Sequence, residues 1–347
     1  MAQSRPTIAD VAARAGVSIA TVSKVINERY GVAPATAEKV REIIDTMGYE
    51  SSLVARSLRS RRTNVLAVLV TDIEPFSAEL LKGAAKALRE TPYELIVYVG
   101  GGHRTEPEPG WERRSLSRLS GTLADGVILV TPTLLDYDGD QPVVAVDPHT
   151  GTSGVPSIVA DNLAGAVAAT EHLTGLGHTR IGFLGGRPDL ESARQREQGY
   201  RSALAAAGIA VDEALIGSGG YRAESSVEPA RRMLTGPDRP TAVFAANDLS
   251  AIETMAVARS LGLRVPEDLS VVGFDNIPES ALSEPSLTTV DQSIHQMGAE
   301  AIRALVSLID GAPVARQITL PTRLVVRQST TGRTERRSPV HGGAGTP

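Results

Sequence analysis

The chain has 347 residues, of which 41% are hydrophobic and 22% charged, and this length and composition predict two or three domains of an ordinary globular protein. It contains no Cys, which excludes disulfide frameworks and thiolate sites, and it shows neither a signal peptide nor an apolar run of about 20 residues, so we expect a cytoplasmic protein with no membrane partner. The net charge of −5 is uneven, because residues 1–62 hold ten Lys and Arg against six Asp and Glu, and such a basic head suits contact with nucleic acid.

Two short helices are predicted at the start of the chain. Thr7, followed three residues later by Asp, forms a capping box, and the apolar residues that follow it have helical spacing. Gly16 ends this helix, and Ser18 caps a second helix over Ile19 to Asn27. A third helix is predicted from Pro34 to Met47. Two short helices joined by a tight turn that contains Gly indicate a helix-turn-helix unit.

The N-terminal sixty residues resemble the LacI–GalR family of bacterial transcription regulators. The resemblance lies in TIADVAARAGVSIATVSKVIN, TAEKVREIIDTMGY and VARSLRSRRTNVLAVLV. It implies an all-α headpiece that binds double-stranded operator DNA, with a hinge helix that inserts Leu58 into the minor groove. The other base-contact positions of the family fall on Ile19, Ala20 and Lys24. The phosphate-contact positions fall on Thr7, Ser18, Thr21, Ser23, Asn27 and Arg56.

From residue 65 onward, apolar strand-like runs alternate with amphipathic helices. Continuous apolar strands joined by crossover helices predict parallel, doubly wound sheets that are covered on both faces. The predicted strands are Val65–Val70, Leu95–Val99, Gly126–Val130, Val143–Val146, Ile181–Leu184, Ala242–Ala245 and Leu269–Gly273. The pattern resembles the two-lobed, periplasmic-binding-protein-like α/β body of the same family, which binds a ligand in the cleft between its lobes.

The predicted domains follow from these patterns. They are a helix-turn-helix DNA-binding domain (1–48), a hinge helix and linker (49–62), an effector-binding domain (63–328) and a disordered tail (329–347). In the effector-binding domain, lobe one comprises 63–161 and 292–318, and lobe two comprises 162–290 and 319–328. The tail lacks the Leu-heptad helix of the family's tetramers, so we expect a homodimer on a palindromic operator.

Polar residues follow several of the predicted strands, where ligands bind in open α/β sheets. They are Asp72, Asp161, Asn247 and Asp275. A lone Asp at a strand end usually caps a helix or forms a turn, but four such ends predict a common cleft.

Further effector-binding positions are implied by the resemblance. It assigns effector binding to Arg196 in SARQREQGY, and to Asn247, Asp275 and Asp161 in their own segments. Arg196 and Asp275 would hold vicinal hydroxyls of a sugar; the alternative is an ion pair between lobes. Phe76 and Tyr221 are candidates for stacking on a sugar face. Phe274 and His178 are interpreted as structural, and Trp111 as a surface or interface residue.

The resulting hypothesis is a repressor that a sugar or sugar-like effector releases from its operator. One alternative keeps the fold but reverses the effect of the ligand, so that a purine-type co-repressor favours DNA binding. A second is a solute-binding protein of a transporter, which the intact headpiece opposes. An enzyme is not expected, because the sequence shows no nucleophile–base set, phosphate loop or metal cluster, and no cofactor or metal is predicted.

Overall fold

A computed structural model describes residues 6–26, 29–49, 62–100, 110–120, 123–134, 136–150 and 154–332. Three helices near the N-terminus form one compact unit, and Asn64–Ser120 together with the residues from Ala124 onward form the other. Three DNA-contact positions predicted from the sequence lie outside the described residues: Asn27, Arg56 and Leu58. Most of the predicted hinge and tail also lie outside them.

The N-terminal unit contains α1 (Ile8–Ala15), α2 (Ile19–Ile26) and α3 (Pro34–Met47). The predicted capping box is present, since the Thr7 amide and hydroxyl donate to Asp10 Oδ2 at 2.8 and 2.7 Å, and the Asp10 amide donates back to Thr7. Gly16 ends α1 in the left-handed conformation (φ 70°), which costs a residue without Cβ little. The helices pack on Val11, Val22 and Val40, all fully buried.

The second unit alternates strands and helices, as the apolar runs predict. In chain order its elements are β1 (Val65–Val70), α4 (Pro75–Leu88), β2 (Glu94–Val99), α5 (Trp111–Leu119), β3 (Gly126–Val130), β4 (Val143–Val146), β5 (Ser157–Ala160), α6 (Asn162–Gly175), β6 (Ile181–Gly185), α7 (Glu191–Ala206), β7 (Ile216–Ser218), α8 (Ala223–Leu234), β8 (Ala242–Ala245), α9 (Asp248–Ser260), β9 (Ser270–Asp275), α10 (Pro278–Leu282), β10 (Thr288–Asp291), α11 (Ile294–Ile309), β11 (Gln317–Leu320) and β12 (Arg323–Val325).

The strands form two six-stranded sheets, one in each lobe. Lobe one has the order β11-β5-β4-β3-β1-β2 and is parallel throughout. Lobe two has the order β12-β10-β9-β8-β6-β7, in which only β12 is antiparallel. The central strands are buried along their whole length, because helices cover both faces.

The chain crosses between the lobes three times, after β5, after β10 and after β11. The sequence placed the third crossing at residue 318, but β11 pairs with β5 as far as Leu320, so the crossing lies two residues later. In lobe one, α11 packs closely on α4, where a Cβ on Gly298 would lie 2.1 Å from the Leu80 carbonyl oxygen. No helix in the described ranges has the length and apolar character to cross a membrane.

Candidate functional site

A cavity of about 400 Å³ lies between the two lobes, outside the carboxyl ends of their strands. Both lobes contribute to its wall, as expected where parallel sheets place their loops. Six of the seven effector-binding residues predicted from the sequence line it: Asp72, Phe76, Arg196, Tyr221, Asn247 and Asp275. The structure therefore gathers side chains that are more than 200 residues apart in the sequence.

Arg196 occupies the buried side of the cavity and is 3% exposed. Its Nε donates to Asn162 Oδ1 at 2.9 Å, and its Nη1 also donates to the Ala246 carbonyl oxygen. The guanidinium carbon lies 3.7 Å from the centroid of the Phe274 ring. A planar cation that stacks on an aromatic ring and donates from its edges has one orientation, so Arg196 is fixed before any ligand arrives.

Two bonds of Arg196 are longer than the others, and both point to polar side chains of the cavity wall. Nη1 donates to Asp275 Oδ1 and Nη2 to Gln292 Oε1, each at 3.3 Å. Gln292 in turn donates to Asp275 Oδ1 at 2.6 Å. Both acceptors are almost fully buried. An Arg196–Asp275 ion pair is therefore present, but both residues belong to lobe two, so it is not the pair between lobes that the sequence left as an alternative.

Burial raises the pKa of Asp275 well above its ordinary value, although the Arg196 guanidinium opposes this shift. Asp248, which begins α9, is fully buried and has a pKa raised to about 7, also by burial. Its carboxylate accepts hydrogen bonds from the Thr289 hydroxyl and the Ile277 amide. Asp248 therefore holds the segment that directly follows Asp275, and it supports the cavity wall from behind.

Tyr221 covers another side of the cavity. Its backbone is left-handed (φ 64°), and its ring lies against Gly186, where a Cβ would come within 2.2 Å of the ring. Burial raises the pKa of its hydroxyl to about 12, although the nearby Arg196 and Ser192 side chains oppose this shift. Among the described residues, no group makes a hydrogen bond of normal geometry with that hydroxyl. Asn247 fixes the Tyr221 backbone by donating to its carbonyl oxygen at 3.1 Å. An unpaired buried hydroxyl beside a cavity is a donor held ready for a ligand.

The lobe-one side of the cavity is more open. Asp72 and Glu74 are exposed, and Phe76 and Thr131 are partly buried. Asp147, at the end of β4, accepts a hydrogen bond from Ser192 of lobe two at 3.1 Å. Burial raises the pKa of Asp147.

Backbone strain is concentrated around this cavity. Among the described residues, seven other than Gly have a positive φ, and four of them line the cavity: Thr131, Asp147, Tyr221 and Asp275. Each such residue costs on the order of 1 kcal/mol and persists only where surrounding contacts enforce it. This clustering is typical of a binding site whose side chains are held in a required orientation.

Asp161 is the one predicted effector residue that the structure does not bring to this cavity. It ends the first lobe crossing, and its Oδ1 caps α6 by accepting from the Ala164 amide at 3.0 Å. It lines a separate cavity of about 320 Å³, of which Asp147 and Ser192 also form part of the wall. Asp161 therefore lies beside a neighbouring cavity, and its predicted contact with the effector stays a prediction.

The headpiece has a second candidate site, on the outer face of α2. Val22 and Val25 point into the core, whereas Ile19 is 50% exposed, and Ala20 and Lys24 are exposed too. Ser18 accepts from the Thr21 amide at 3.1 Å, and the two hydroxyls lie 2.9 Å apart. Thr7 and Ser18 are thus caps, as the sequence predicts, and Ile19, Ala20 and Lys24 lie together on one face of a short helix.

Comparison with known proteins identifies the family. Residues 7–52 match the family model described as bacterial regulatory proteins, lacI family, and residues 170–330 match that of the periplasmic binding protein-like domain. The HTH-type transcriptional regulator CelR of Thermobifida fusca is 37% identical, over 94% of this chain and 98% of the relative. The chain belongs to the LacI family.

Solved structures agree with this LacI-family assignment. A complex of the transcriptional regulator CelR with cellobiose has 35% identity and a TM-score of 0.67, and covers 94% of this chain and 100% of that one. The lac repressor dimer bound to operator and the anti-inducer ONPF has 27% identity and a TM-score of 0.82, and covers 94% and 99%. The LacI family consists of regulatory proteins and not of enzymes, so the chain is a transcription regulator.

Several residues of this LacI-family cavity were missed by the sequence analysis. Asp147 carried the same signal as Asp72 and Asp275, since it directly follows an apolar strand, and it could have been found in that way. Gln292 follows β10 by one residue and carried a weaker form of the same signal. Asn162, which orients Arg196 from α6, had no local signal, because its role depends on the packing of α6 against α7.

Proposed function

We propose that this LacI-family regulator is a homodimeric repressor that binds a palindromic operator through its headpiece and that a sugar or sugar-like effector in the interlobe cavity releases it. The observation that carries the proposal is the cavity itself. Its Arg196–Asp275–Gln292 cluster is buried and oriented by several partners, and the two bonds from Arg196 are, at 3.3 Å, long enough for ligand hydroxyls to replace them. Vicinal hydroxyls are both donors and acceptors, so they complement an adjacent guanidinium and carboxylate.

On the DNA side, we propose that α2 enters the major groove. Lys24 donates to guanine O6 or N7, and Ile19 and Ala20 contact thymine methyl groups. The exposure of these three side chains on one helix face supports these roles. We propose phosphate contacts for Thr7, Ser18, Thr21 and Ser23, in addition to the capping bonds of the first two.

The remaining DNA contacts keep the roles that the family resemblance implies. We propose that Asn27 and Arg56 contact phosphates and that Leu58 wedges into the minor groove. The domain division also remains a proposal, with 1–48 as the DNA-binding domain, 49–62 as the hinge and the two lobes as the effector-binding domain. In this scheme Leu58→Ala weakens operator binding with little effect on sugar affinity.

For the effector, we propose that Arg196, Asp275 and Asn247 form polar contacts, that Tyr221 donates its hydroxyl and that Phe76 packs on the apolar face of the sugar. The relative CelR forms a complex with cellobiose, which supports a sugar as the effector. The lac repressor binds its operator as a dimer, which supports the proposed assembly. Release requires that the sugar bind more tightly to the state of the protein with low operator affinity.

The test is operator binding by fluorescence anisotropy at fixed salt, with palindromic DNA from the promoter region of the protein's own gene and a panel of sugars. We expect tight binding that one sugar weakens at least about tenfold, which corresponds to about 1.4 kcal/mol. A ligand that strengthens operator binding would instead establish a co-repressor. Operator affinity that is the same with and without every ligand would contradict the proposal.

A further inference from the structure

The amino end of α4 faces the interlobe cavity, and a carboxylate of the chain itself occupies it. Glu74 is the cap of this helix and also lines the cavity. Its Oε2 accepts from the Phe76 amide at 3.1 Å, and its Oε1 accepts from the Ser77 amide at 3.1 Å and from the Ser77 hydroxyl at 2.8 Å. Three hydrogen bonds therefore fix the position of this negative charge at the cavity wall.

No donor of the first turn of α4 is left for a ligand. Pro75 has no N–H, the Phe76 and Ser77 amides donate to the Glu74 side chain, and the Ala78 amide donates to the Glu74 carbonyl oxygen. The amino end of a helix normally attracts phosphates and carboxylates, because its free amides and its dipole favour negative charge. Here the internal carboxylate uses the same amides and adds a negative charge of its own.

The other charges of the cavity do not offset the negative charge that Glu74 adds at the amino end of α4. Its lining contains five carboxylates and three guanidinium groups. Two of the three are already engaged, since Arg187 binds Asp189 through Nε and Nη2, and Arg196 binds Asp275. The third, Arg222, shares the lining with Glu224. The Glu74 charge also acts across the cavity, because it contributes to the raised pKa of Asp275.

We propose that Glu74 is a specificity-determining residue that selects uncharged polyhydroxylated effectors and rejects their phosphorylated or carboxylated counterparts. The proposal rests on the proposed function, because it concerns the ligand of the same cavity. An incoming anion would lie beside a fixed carboxylate in a partly dehydrated site, and it would find none of the amides that usually compensate such a charge. A neutral sugar meets no such repulsion, and its hydroxyls can donate to the outer lone pairs of Glu74.

The experiment measures matched ligand pairs by isothermal titration calorimetry on the full chain. Suitable pairs are cellobiose and cellobionate, glucose and glucose 6-phosphate, and galactose and galacturonate. For the pair that binds, we expect the wild-type protein to prefer the neutral member. In Glu74→Gln, which keeps the size and one acceptor of the side chain but removes its charge, the ratio of neutral to anionic affinity should fall about tenfold.

The matched control is Glu90→Gln, which removes the same charge just beyond the other end of α4, at an exposed position. This variant should keep the wild-type ratio. The inference is overturned if the wild-type protein binds the anionic member equally well, if no neutral member binds, or if Glu74→Gln leaves the ratio unchanged. Operator anisotropy on the same samples separates the two proposals: release by an anionic ligand contradicts only the role of Glu74, whereas absent operator binding contradicts only the repressor function.

Discussion

The two walls of the cavity differ in how rigidly their side chains are held before a ligand binds. On the lobe-two side, Arg196, Asp275 and Gln292 are almost fully buried and bind one another. On the lobe-one side, Asp72 and Glu74 are exposed. A preorganised wall loses little conformational entropy when a ligand binds, whereas an exposed side chain with few partners, such as that of Asp72, must be ordered at that moment. Glu74 is exposed but is already held by its capping bonds. We infer that lobe two supplies most of the affinity and that lobe one decides which ligands are admitted.

The largest effect is expected for Arg196→Met. This change leaves Asp275 as a buried carboxylate without its cation and removes the donors to Asn162 and Gln292. We expect the free energy of unfolding to fall by about 3–5 kcal/mol in urea titrations, and sugar binding to be lost. Arg201→Met is the control on the same helix, because Arg201 pairs with Glu197 and Glu213 at the surface, and its loss should cost less than about 1 kcal/mol. Equal effects of the two changes would contradict the comparison of the walls.

The second effect is a pH dependence of stability caused by Asp248. Its pKa in the folded protein is raised from 3.8 to about 7 by burial, so the folded state holds a proton that the unfolded state releases in this range. The contribution of Asp248 to stability is therefore present below about pH 4 and is lost as the pH rises towards 7. Each pKa unit corresponds to about 1.4 kcal/mol, so between these limits the free energy of unfolding of the wild-type protein should fall by about 4 kcal/mol relative to Asp248→Asn. Parallel curves for the two proteins in urea titrations across this range would show that Asp248 titrates normally.

The third prediction concerns the unpaired hydroxyl of Tyr221. In Tyr221→Phe a buried donor without a partner is removed, so the free energy of unfolding should rise by about 1 kcal/mol. If the hydroxyl donates to the effector, sugar affinity should fall about tenfold in the same variant, because the ligand loses a hydrogen bond. Thermal unfolding and calorimetry together measure both changes. Stability and affinity that fall together would indicate a structural role instead.

The smallest effect is expected for Asp72→Asn on the open wall. Among the described residues, Asp72 accepts only from the amide of the next residue, Ile73, at 2.8 Å, and it is exposed. The free energy of unfolding should change by less than about 0.5 kcal/mol, and sugar affinity by less than tenfold. A loss of affinity as large as that of Arg196→Met would place the main binding energy in lobe one and reverse the comparison.

Much of the fold could be predicted from local patterns. The capping box at Thr7, the Gly that ends α1 and the continuous apolar strands are short-range signals, and each is found in the structure. Trp111 shows the limit of such signals. Its charged, Gly- and Pro-rich surroundings favoured a surface position, but the side chain is only 7% exposed, and its ring packs on Gly100 in lobe one. Whether a side chain finds a packing partner elsewhere in the chain is not encoded in its local segment.

The site was predictable where a strand end or a family motif marked it, as for Asp72, Arg196, Asn247 and Asp275. The contacts between these residues were not, because they depend on the crossing of helices and on exact side-chain directions. Phe274 was predicted to be a core residue and is fully buried, but it also stacks on the Arg196 guanidinium, which no local pattern indicates. Glu74 had an ordinary sequence context, and only the geometry of α4 places its carboxylate at the cavity wall.

If sugar binding and operator binding are coupled, each ligand must change the affinity of the protein for the other. The affinity for the effective sugar should be measured by calorimetry with and without a saturating operator duplex, and the operator affinity by anisotropy with and without saturating sugar. Because coupling between two ligands is mutual, the operator must weaken sugar binding by the same factor by which the sugar weakens operator binding. We predict equal factors of at least about tenfold. A sugar affinity that the operator leaves unchanged would contradict the account.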